Sequence, residues 1–206
     1  MYTRVLEPSL DLFKDTNRIL IAGYSGSGKT TLTGKIILKY KERFDRIISI
    51  GSTIPNYETL GVERIDDFEP LSEHYGKNIL VVWDDILYIP TLLKKAADCF
   101  VRGRHFGISN IFLTQNLFHP DKIYRVISLN CCAFIILKQR CMIQIARFGQ
   151  TFLPKHKIQK FVDLYKKIQK EDHGYLMVDF KQESESPLSL RTYIANETFE
   201  KAFLLE

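Results

Sequence analysis

The chain has 206 residues, of which 45% are hydrophobic and 26% are charged, and its formal net charge is +5. This composition excludes a disordered or fibrous chain and predicts one globular domain, residues 1–206, with a central sheet covered on both faces. The excess of basic residues favours an anionic partner.

The apolar runs and the cysteines exclude further classes of protein. No apolar run approaches the roughly 18 residues that a membrane span needs. The four cysteines show no C-x-x-C spacing, so we expect reduced thiols rather than disulfides or zinc ligands. Residues 1–18 lack the apolar core of a secretory signal, and we interpret them as the lead-in of an intracellular, non-secreted protein.

The strongest motif lies at residues 23–30, which read Gly-Tyr-Ser-Gly-Ser-Gly-Lys-Thr. It matches G-x-x-x-x-G-K-[ST], the phosphate-binding loop of P-loop nucleotide triphosphatases, which stands between a strand and a helix. The apolar residues 19–22 predict that strand. Apolar residues at helical spacing between Leu32 and Phe44 predict the helix. Both flanks therefore fit the motif.

This loop predicts how a nucleoside triphosphate is bound. Its glycines let backbone N–H groups turn toward the β-phosphate, and the helix that follows directs its positive end at the same anion. We expect Lys29 to contact the β- and γ-phosphates and the Thr30 hydroxyl to bind Mg²⁺. The candidate nucleotide-binding residues are Gly23, Tyr24, Ser25, Gly26, Ser27, Gly28, Lys29, Thr30 and Thr31.

Two acids close a later apolar strand. Residues 46–50 predict a second strand that ends at Gly51, and residues 52–77 predict loops and short helices, one of them opening at residues 65–68. Residues 78–85 then read Asn-Ile-Leu-Val-Val-Trp-Asp-Asp. This is the Walker B pattern, in which a buried strand delivers carboxylates at its C-terminal end, where open α/β sheets bind ligands.

The two acids of this pattern have separate predicted roles. Asp84 is expected to hold Mg²⁺ through water, and Asp85 to polarise the water that attacks the γ-phosphate. Trp83 precedes them within the strand and is predicted to be a core residue rather than a platform for a base.

The next predicted strand ends in polar residues. Residues 91–101 predict a helix that ends in Arg-Gly-Arg-His, and residues 110–113 predict a buried strand that closes with Thr114 and Gln115. A Thr-Gln pair next to the two acids suits a sensor that contacts the γ-phosphate or its water. Plain capping of the strand is the alternative.

The remaining elements follow from apolar periodicity. Helices are predicted over residues 120–128, 142–148 and 155–170, and strands over residues 132–137, 175–179 and 190–194. The last strand is placed at a sheet edge, and residues 197–206 are expected to form a helix or a loose tail. The core thus spans residues 19–180, followed by an edge strand and tail over residues 181–206.

Basic residues are concentrated late in the chain. Residues 138–170 contain nine Lys or Arg against a single acid, Asp163. Such a stretch suits either contact with a nucleic-acid backbone or a solvated helix face.

The combined motifs resemble the FtsK–HerA superfamily of DNA-pumping ATPases. Regulatory GTPases and transporter ATPases are disfavoured, since their Asn-Lys-x-Asp and Leu-Ser-Gly-Gly-Gln motifs do not occur. Within the superfamily, the chain is most similar to the compact packaging ATPases of poxviruses, virophages and Polinton-like viruses. The similarity lies in residues 23–30, 83–87, 102–119, 127–130 and 174–179. The phosphate-binding loop is generic, whereas Arg-Gly-Arg-His followed by Leu-Thr-Gln-Asn-Leu-Phe-His is much more specific.

The resemblance implies a RecA/FtsK-like P-loop NTPase fold, a three-layer α/β sandwich with a mostly parallel sheet flanked by helices. It implies ATP and Mg²⁺, a homo-oligomeric and specifically hexameric ring, double-stranded DNA and viral capsid proteins as partners. The location implied is the host cytoplasm or nucleus at sites of virion assembly, or the virion.

By residue, the resemblance implies that Gln115 is the sensor and that an arginine from a neighbouring subunit stabilises charge on the γ-phosphate. The bacterial translocases carry that arginine just after the segment equivalent to Asn130, where this chain has Cys131. The candidates left for this catalytic role are Arg102, Arg104 and Arg140.

Two other functions remain open from the sequence. A nucleoside or nucleotide kinase uses the same loop, although kinases of this length usually carry an arginine-bearing lid and do not end the strand after Walker B in Thr-Gln. A nucleotide-gated assembly adaptor, in which ATP only switches assembly, also fits.

Overall fold

The computed structural model describes residues 2–6, 12–13, 15–51, 57, 60–69, 71–171, 173–181, 190–195 and 200–204. The strands of these residues form one ten-stranded sheet, and five α-helices are packed on it. None of the helices in the described ranges is long and apolar enough to cross a membrane.

The bounds of the elements are as follows. The strands are Tyr2–Leu6 (β1), Arg18–Ala22 (β2), Arg46–Gly51 (β3), Glu63–Arg64 (β4), Ile79–Asp84 (β5), Ile108–Thr114 (β6), Ala133–Ile136 (β7), Leu176–Asp179 (β8), Leu190–Thr192 (β9) and Glu200–Leu204 (β10). The α-helices are Lys29–Tyr40 (α1), Pro90–Arg102 (α2), Lys122–Leu129 (α3), Met142–Phe152 (α4) and Ile158–Ile168 (α5). Short 3-10 helices occupy Lys41–Arg43, Leu71–His74, Gly103–Phe106 and Lys155–Lys157.

The sheet has a parallel half and an antiparallel half. Its spatial order is β1-β10-β9-β8-β7-β2-β6-β5-β3-β4. All pairs from β7 to β4 are parallel, whereas all pairs from β7 to β1 are antiparallel. The phosphate-loop strand β2 lies between β6 and β7, inside the parallel half.

The central strands are buried on both faces, which accounts for their continuous apolar sequences. Successive side chains of a strand point to opposite faces. In β2, Ile19 and Ile21 pack with α1, whereas Leu20 and Ala22 belong to the cluster that holds α2 to α5. This arrangement confirms the predicted α/β sandwich with a mostly parallel sheet between two helical layers.

Two predictions near the chain ends were wrong. Residues 190–192 form β9 inside the sheet rather than at its edge, and residues 200–204 form β10 instead of a helix or loose tail. The edge is β1, which lies in the predicted lead-in and pairs with β10. Without β10 and β1, the backbone groups along the outer side of β9 would be unpaired. Proteins generally cover such exposed strand edges.

The helix predicted to open at residues 65–68 is also absent, and the nearest helical turn is the 3-10 helix Leu71–His74. Asp67 explains the difference, because its carboxylate accepts hydrogen bonds from the Phe68 N–H and from Lys95. Such local side-chain bonds compete with helix formation. The Phe68 ring is buried against Trp83 and His74.

Candidate functional site

The pairing of the parallel strands brings the predicted motifs to one edge of the sheet. Ala22, the last residue of β2, is paired with Thr114, the last residue of β6. Asp84, the last residue of β5, is paired with Leu113 on one side and Gly51 on the other. The segments that begin at residues 23, 85 and 115 therefore leave the sheet side by side.

The phosphate-binding loop is fixed between two strands. The Gly23 N–H donates to the Thr114 carbonyl at 3.1 Å, and the Tyr24 N–H donates to the Lys138 carbonyl at 3.1 Å. A Cβ on Gly23 would lie 2.9 Å from Cβ of Leu137 and 2.3 Å from Oγ of Ser27, and Gly28 has a φ of 94°, so both positions favour glycine. Oγ of Ser27 is buried and has no hydrogen-bond partner.

Lys29 begins α1 and extends back along this loop. Its ammonium group donates to the carbonyls of Gly23 at 2.7 Å and Tyr24 at 3.2 Å. Burial lowers the pKa of Lys29, and the charges of Asp84 and Asp85 act in the opposite direction. Lys29 is therefore close enough to Asp84 and Asp85 to interact with both charges. Thr30 and Thr31 follow it in the first turn of the helix.

The two acids occupy different environments. Asp84 is 6% exposed, and burial, followed by the charge of Asp85, raises its pKa to about 6, against the opposing charge of Lys29. Asp85 is exposed and has a φ of 53°, a left-handed conformation that residues other than glycine rarely adopt. The strand thus ends abruptly between a buried and an exposed carboxylate.

The raised pKa of Asp84 predicts a pH-dependent stability. The pKa of Asp84 is higher in the folded state, about 6, than in the unfolded state, about 4. The folded state therefore loses stability as the pH rises between these two pKa values, because the buried carboxyl must ionise. We expect Asp84→Asn to raise the free energy of unfolding by about 3 kcal/mol at pH 7 and to leave it nearly unchanged near pH 4. Urea titrations across this range measure the difference, and a gap that does not vary with pH would contradict this expectation.

The sequence offered two roles for the end of β6, strand capping and a γ-phosphate sensor, and Thr114 and Gln115 differ in which of them they suit. Oγ1 of Thr114 accepts a hydrogen bond from the Asn116 N–H at 3.3 Å, which is the capping arrangement. Gln115 is exposed and lines a cavity together with Tyr24 and Ser25 of the loop. Its position beside the loop suits a sensor, and that role stays a prediction.

The three candidate arginines lie in two different places. Arg140 follows β7, and its guanidinium lies 5.5 Å from the ring centroid of Tyr24, in the phosphate-binding loop of the same chain. Arg102 is paired with Asp98 at the C-terminal end of α2, and Arg104 follows it in a 3-10 helix. That helix leads into the start of β6. Arg102 and Arg104 therefore lie near the N-terminal ends of the parallel strands, whereas the phosphate-binding loop lies at their C-terminal ends.

No protein-family model and no curated protein matches the chain. Solved structures do match. The genome packaging NTPase B204 from Sulfolobus turreted icosahedral virus 2, in complex with sulfate, aligns with a TM-score of 0.60 at 15% identity, over 82% of this chain and 93% of B204. The chain has the fold of this packaging NTPase.

Two further structures have the same fold. B204, described as the DNA-packaging ATPase from Sulfolobus turreted icosahedral virus, aligns over 94% of this chain and all of its own length, with a TM-score of 0.57 at 13% identity. EccC (ATPases 2 and 3) from Thermomonospora curvata, in complex with a signal sequence peptide, has a TM-score of 0.54 at 15% identity. The alignment covers 95% of this chain and 37% of EccC.

Tyr57 is a component of the site that sequence reasoning missed. It is 4% exposed, and its hydroxyl donates to the Thr30 carbonyl at 3.1 Å. Burial raises its pKa, and the charge of Asp84 adds to the effect. Tyr57 thus contacts the backbone of Thr30 and is near enough to Asp84 for the charge of that acid to act on its pKa. The sequence of residues 52–77 shows no apolar periodicity, so it carried no signal for Tyr57.

Gly51 is the second residue whose role was missed, because it was interpreted only as the end of a strand. Its φ is 136°, and a Cβ at this position would lie 1.7 Å from the carbonyl oxygen of Asp84. No side-chain movement relieves a contact with the backbone. Because Gly51 has no side chain, the backbone of Asp84 fits beside it at the C-terminal end of β5.

Gly51→Ala is expected to destabilise the fold by more than about 2 kcal/mol, because the new methyl group displaces the Asp84 backbone. Gly61→Ala is the matched control. Gly61 also has a positive φ, 76°, but a Cβ there meets nothing within 4 Å, so only about 1 kcal/mol of strain is expected. Urea unfolding compares the two, and equal losses would contradict the assignment.

The residues at the site suit Mg²⁺. Among the described residues there is no cluster of three or more His, Cys, Asp or Glu of the kind that holds a metal unaided. Magnesium needs no such cluster, since it binds one or two protein oxygens together with water and phosphate oxygens. Thr30 and the buried Asp84 offer an oxygen donor set of this kind beside the phosphate-binding loop.

Proposed function

We propose that the chain is an ATP-hydrolysing motor subunit that packages double-stranded viral DNA into a capsid. One observation carries the proposal: the phosphate-binding loop, Lys29, Asp84 and Asp85 meet at one sheet edge, in the fold of a genome packaging NTPase. The likeness to B204 supports it, since the alignment spans 94% of this chain and all of B204. The narrower relation to poxvirus, virophage and Polinton-like enzymes is part of the proposal.

In this proposal each residue of the site has a role in hydrolysis. Backbone N–H groups of the loop bind the β-phosphate, and Lys29 exchanges its carbonyl partners for oxygens of the β- and γ-phosphates. Asp85 accepts a hydrogen bond from a water and orients it for in-line attack on the γ-phosphorus, so that the bond to the bridging oxygen breaks and ADP leaves. Gln115 contacts the γ-phosphate or the water from the neighbouring strand.

Thr30 and Asp84 would hold Mg²⁺, which offsets negative charge on the β- and γ-phosphates when bound. Tyr57 fixes the carbonyl of Thr30 and so keeps the first turn of α1 in register with Asp84. The raised pKa of Asp84 means that a cation beside it relieves the cost of burying its charge.

Assembly into a homo-oligomeric ring, a hexamer in this proposal, supplies the trans-acting arginine. Arg140 is committed to the loop of its own chain through Tyr24. Arg102 and Arg104 lie away from their own site, which suits residues that act on a neighbour. The basic stretch of residues 138–170 begins in the segment after β7 and continues through α4, α5 and their connection. Lys160, Lys166 and Lys167 are exposed on α5 for contact with DNA.

The same proposal covers the remaining parts of the function. The whole chain, residues 1–206, acts as one ATPase domain. It binds viral capsid proteins and works inside the host cell, in the cytoplasm or nucleus where virions assemble, or within the virion.

The decisive experiment measures oligomeric state and ATP turnover with and without duplex DNA. A ring in the presence of an ATP analogue, and turnover that rises on adding duplex DNA, are the expected results. Phosphorylation of a small nucleotide acceptor would instead identify a kinase. Slow turnover in every assembly state, combined with nucleotide-dependent assembly, would identify an adaptor.

A further inference from the structure

A polar cavity of about 230 Å³ lies next to the phosphate-binding loop, on the side of β6 and β7. Tyr24 and Ser25 form its wall toward the loop, and Gln115 closes it at the end of β6. Residues that follow β7 also line it, including Gln139, Arg140 and Gln144. None of the residues that line it is an acid.

Gln139 is the most unusual residue of this cavity. It is only 8% exposed, and its Nε2 has no hydrogen-bond partner. A buried amide without a partner is costly, so native structures satisfy nearly all such groups. Its backbone is held in place, because its N–H donates to the Tyr165 hydroxyl and that hydroxyl donates to the Leu137 carbonyl, both at 2.9 Å. The unpartnered amide therefore belongs to a fixed part of the fold.

The cavity is also electropositive. The guanidinium of Arg140 rests on the Tyr24 ring and has no carboxylate partner among the described residues. Helix α4 starts at the cavity with Cys141 as its N-cap, with no side-chain cap and no acid in its first turn. The Gln144 N–H donates back to the Cys141 carbonyl at 3.2 Å. No acid of the first turn offsets the positive end of the helix dipole, which therefore favours an anion.

We infer that this cavity binds inorganic phosphate and holds it after hydrolysis, once it has left the phosphate-binding loop. The inference rests on the proposed ATPase function. Ser25 belongs to the loop and also lines the cavity, so phosphate released from ATP at the loop lies next to the cavity. There Arg140, the Gln139 amide and the start of α4 supply the donors that a tetrahedral oxyanion requires.

Binding is tested first on full-length Lys29→Ala, in which the loop has lost its own lysine. Calorimetric titration with inorganic phosphate is expected to detect one site per chain. Adding Arg140→Gln should weaken that binding about tenfold, the loss expected for one charge-assisted hydrogen bond. Adding Gln139→Met, which keeps the length and removes the N–H, should weaken it several-fold without lowering the free energy of unfolding.

Arg125→Gln in the same background is the matched control, since it removes an equally exposed arginine from α3. Its phosphate affinity should equal that of Lys29→Ala alone. An equal loss in this control, an undetectable site in Lys29→Ala, or unchanged affinity in the Arg140 and Gln139 variants would overturn the inference.

The source of the phosphate is tested with the wild-type chain in a single turnover. Quenched samples report cleavage of ATP, and a fluorescent phosphate sensor reports release. Release that lags behind cleavage, with a lag shortened by Gln139→Met, is expected for phosphate retained from hydrolysis. Binding in the titration without any lag would show that the site fills only from solution and would overturn its role as a product site. Absence of cleavage, with binding intact, would overturn the proposed function and leave the phosphate site standing.

Discussion

Lys29→Ala is expected to lower ATP turnover at least about a hundredfold while the chain stays folded. The ammonium group is the cation of the loop that reaches the γ-phosphate, and losing one preorganised charge-stabilising donor typically costs this much. Folding should be little affected, because the group is half-buried and its burial already lowers its pKa. Steady-state phosphate release and urea unfolding measure the two effects separately.

Lys35→Ala provides the control for this variant. Lys35 lies on the same helix and is exposed, so it removes an identical charge at a distance from the loop. Its turnover should match that of the unchanged chain. If Lys29→Ala retained turnover within about twofold, the loop would not be the site of hydrolysis.

Asp85→Asn is expected to lower kcat by about 10²–10⁴, the usual contribution of a general base, while KM for ATP changes little. Asparagine is the informative substitution, because it tolerates the left-handed conformation that Asp85 adopts. Alanine at this position would combine lost chemistry with backbone strain. Turnover at saturating ATP and Mg²⁺ measures the effect.

Asp66→Asn is the matched control, since Asp66 is exposed and makes the same charge change. It should leave kcat unchanged. A loss of affinity for ATP with kcat intact in Asp85→Asn would instead assign Asp85 to nucleotide or metal binding and would refute its role in activating water.

Apart from β4, whose two residues are charged and exposed, the parallel half of the sheet was predictable because its strands are apolar on both faces. Such strands stand out as continuous apolar runs, and β5 and β6 appeared at the expected positions. The antiparallel half was not predictable to the same degree. The places of the short strands β9 and β10 in the sheet depend on the strands with which they pair. The apolar periodicity of the sequence does not reveal those pairing partners.

The site divides in a similar way. The loop, Asp84 and Asp85 were predicted from spacing, because the phosphate chemistry dictates which residue types stand at which intervals. Gly51 and Tyr57 were not predicted. Gly51 leaves space for the Asp84 backbone, and Tyr57 donates a hydrogen bond to the Thr30 carbonyl. Both effects depend on residues distant in sequence, and only the folded chain brings them together.

The position of Trp83 has an optical consequence. It is the single tryptophan of the chain, it is fully buried, and its indole N–H donates to Oδ1 of Asn110 at 2.9 Å. The next residue is Asp84, so the sole indole fluorophore lies one peptide bond from the candidate magnesium ligand. Intrinsic emission excited at the red edge of protein absorption therefore originates at the site itself, and titrations with Mg²⁺ and nucleotide can be followed on the unlabelled protein.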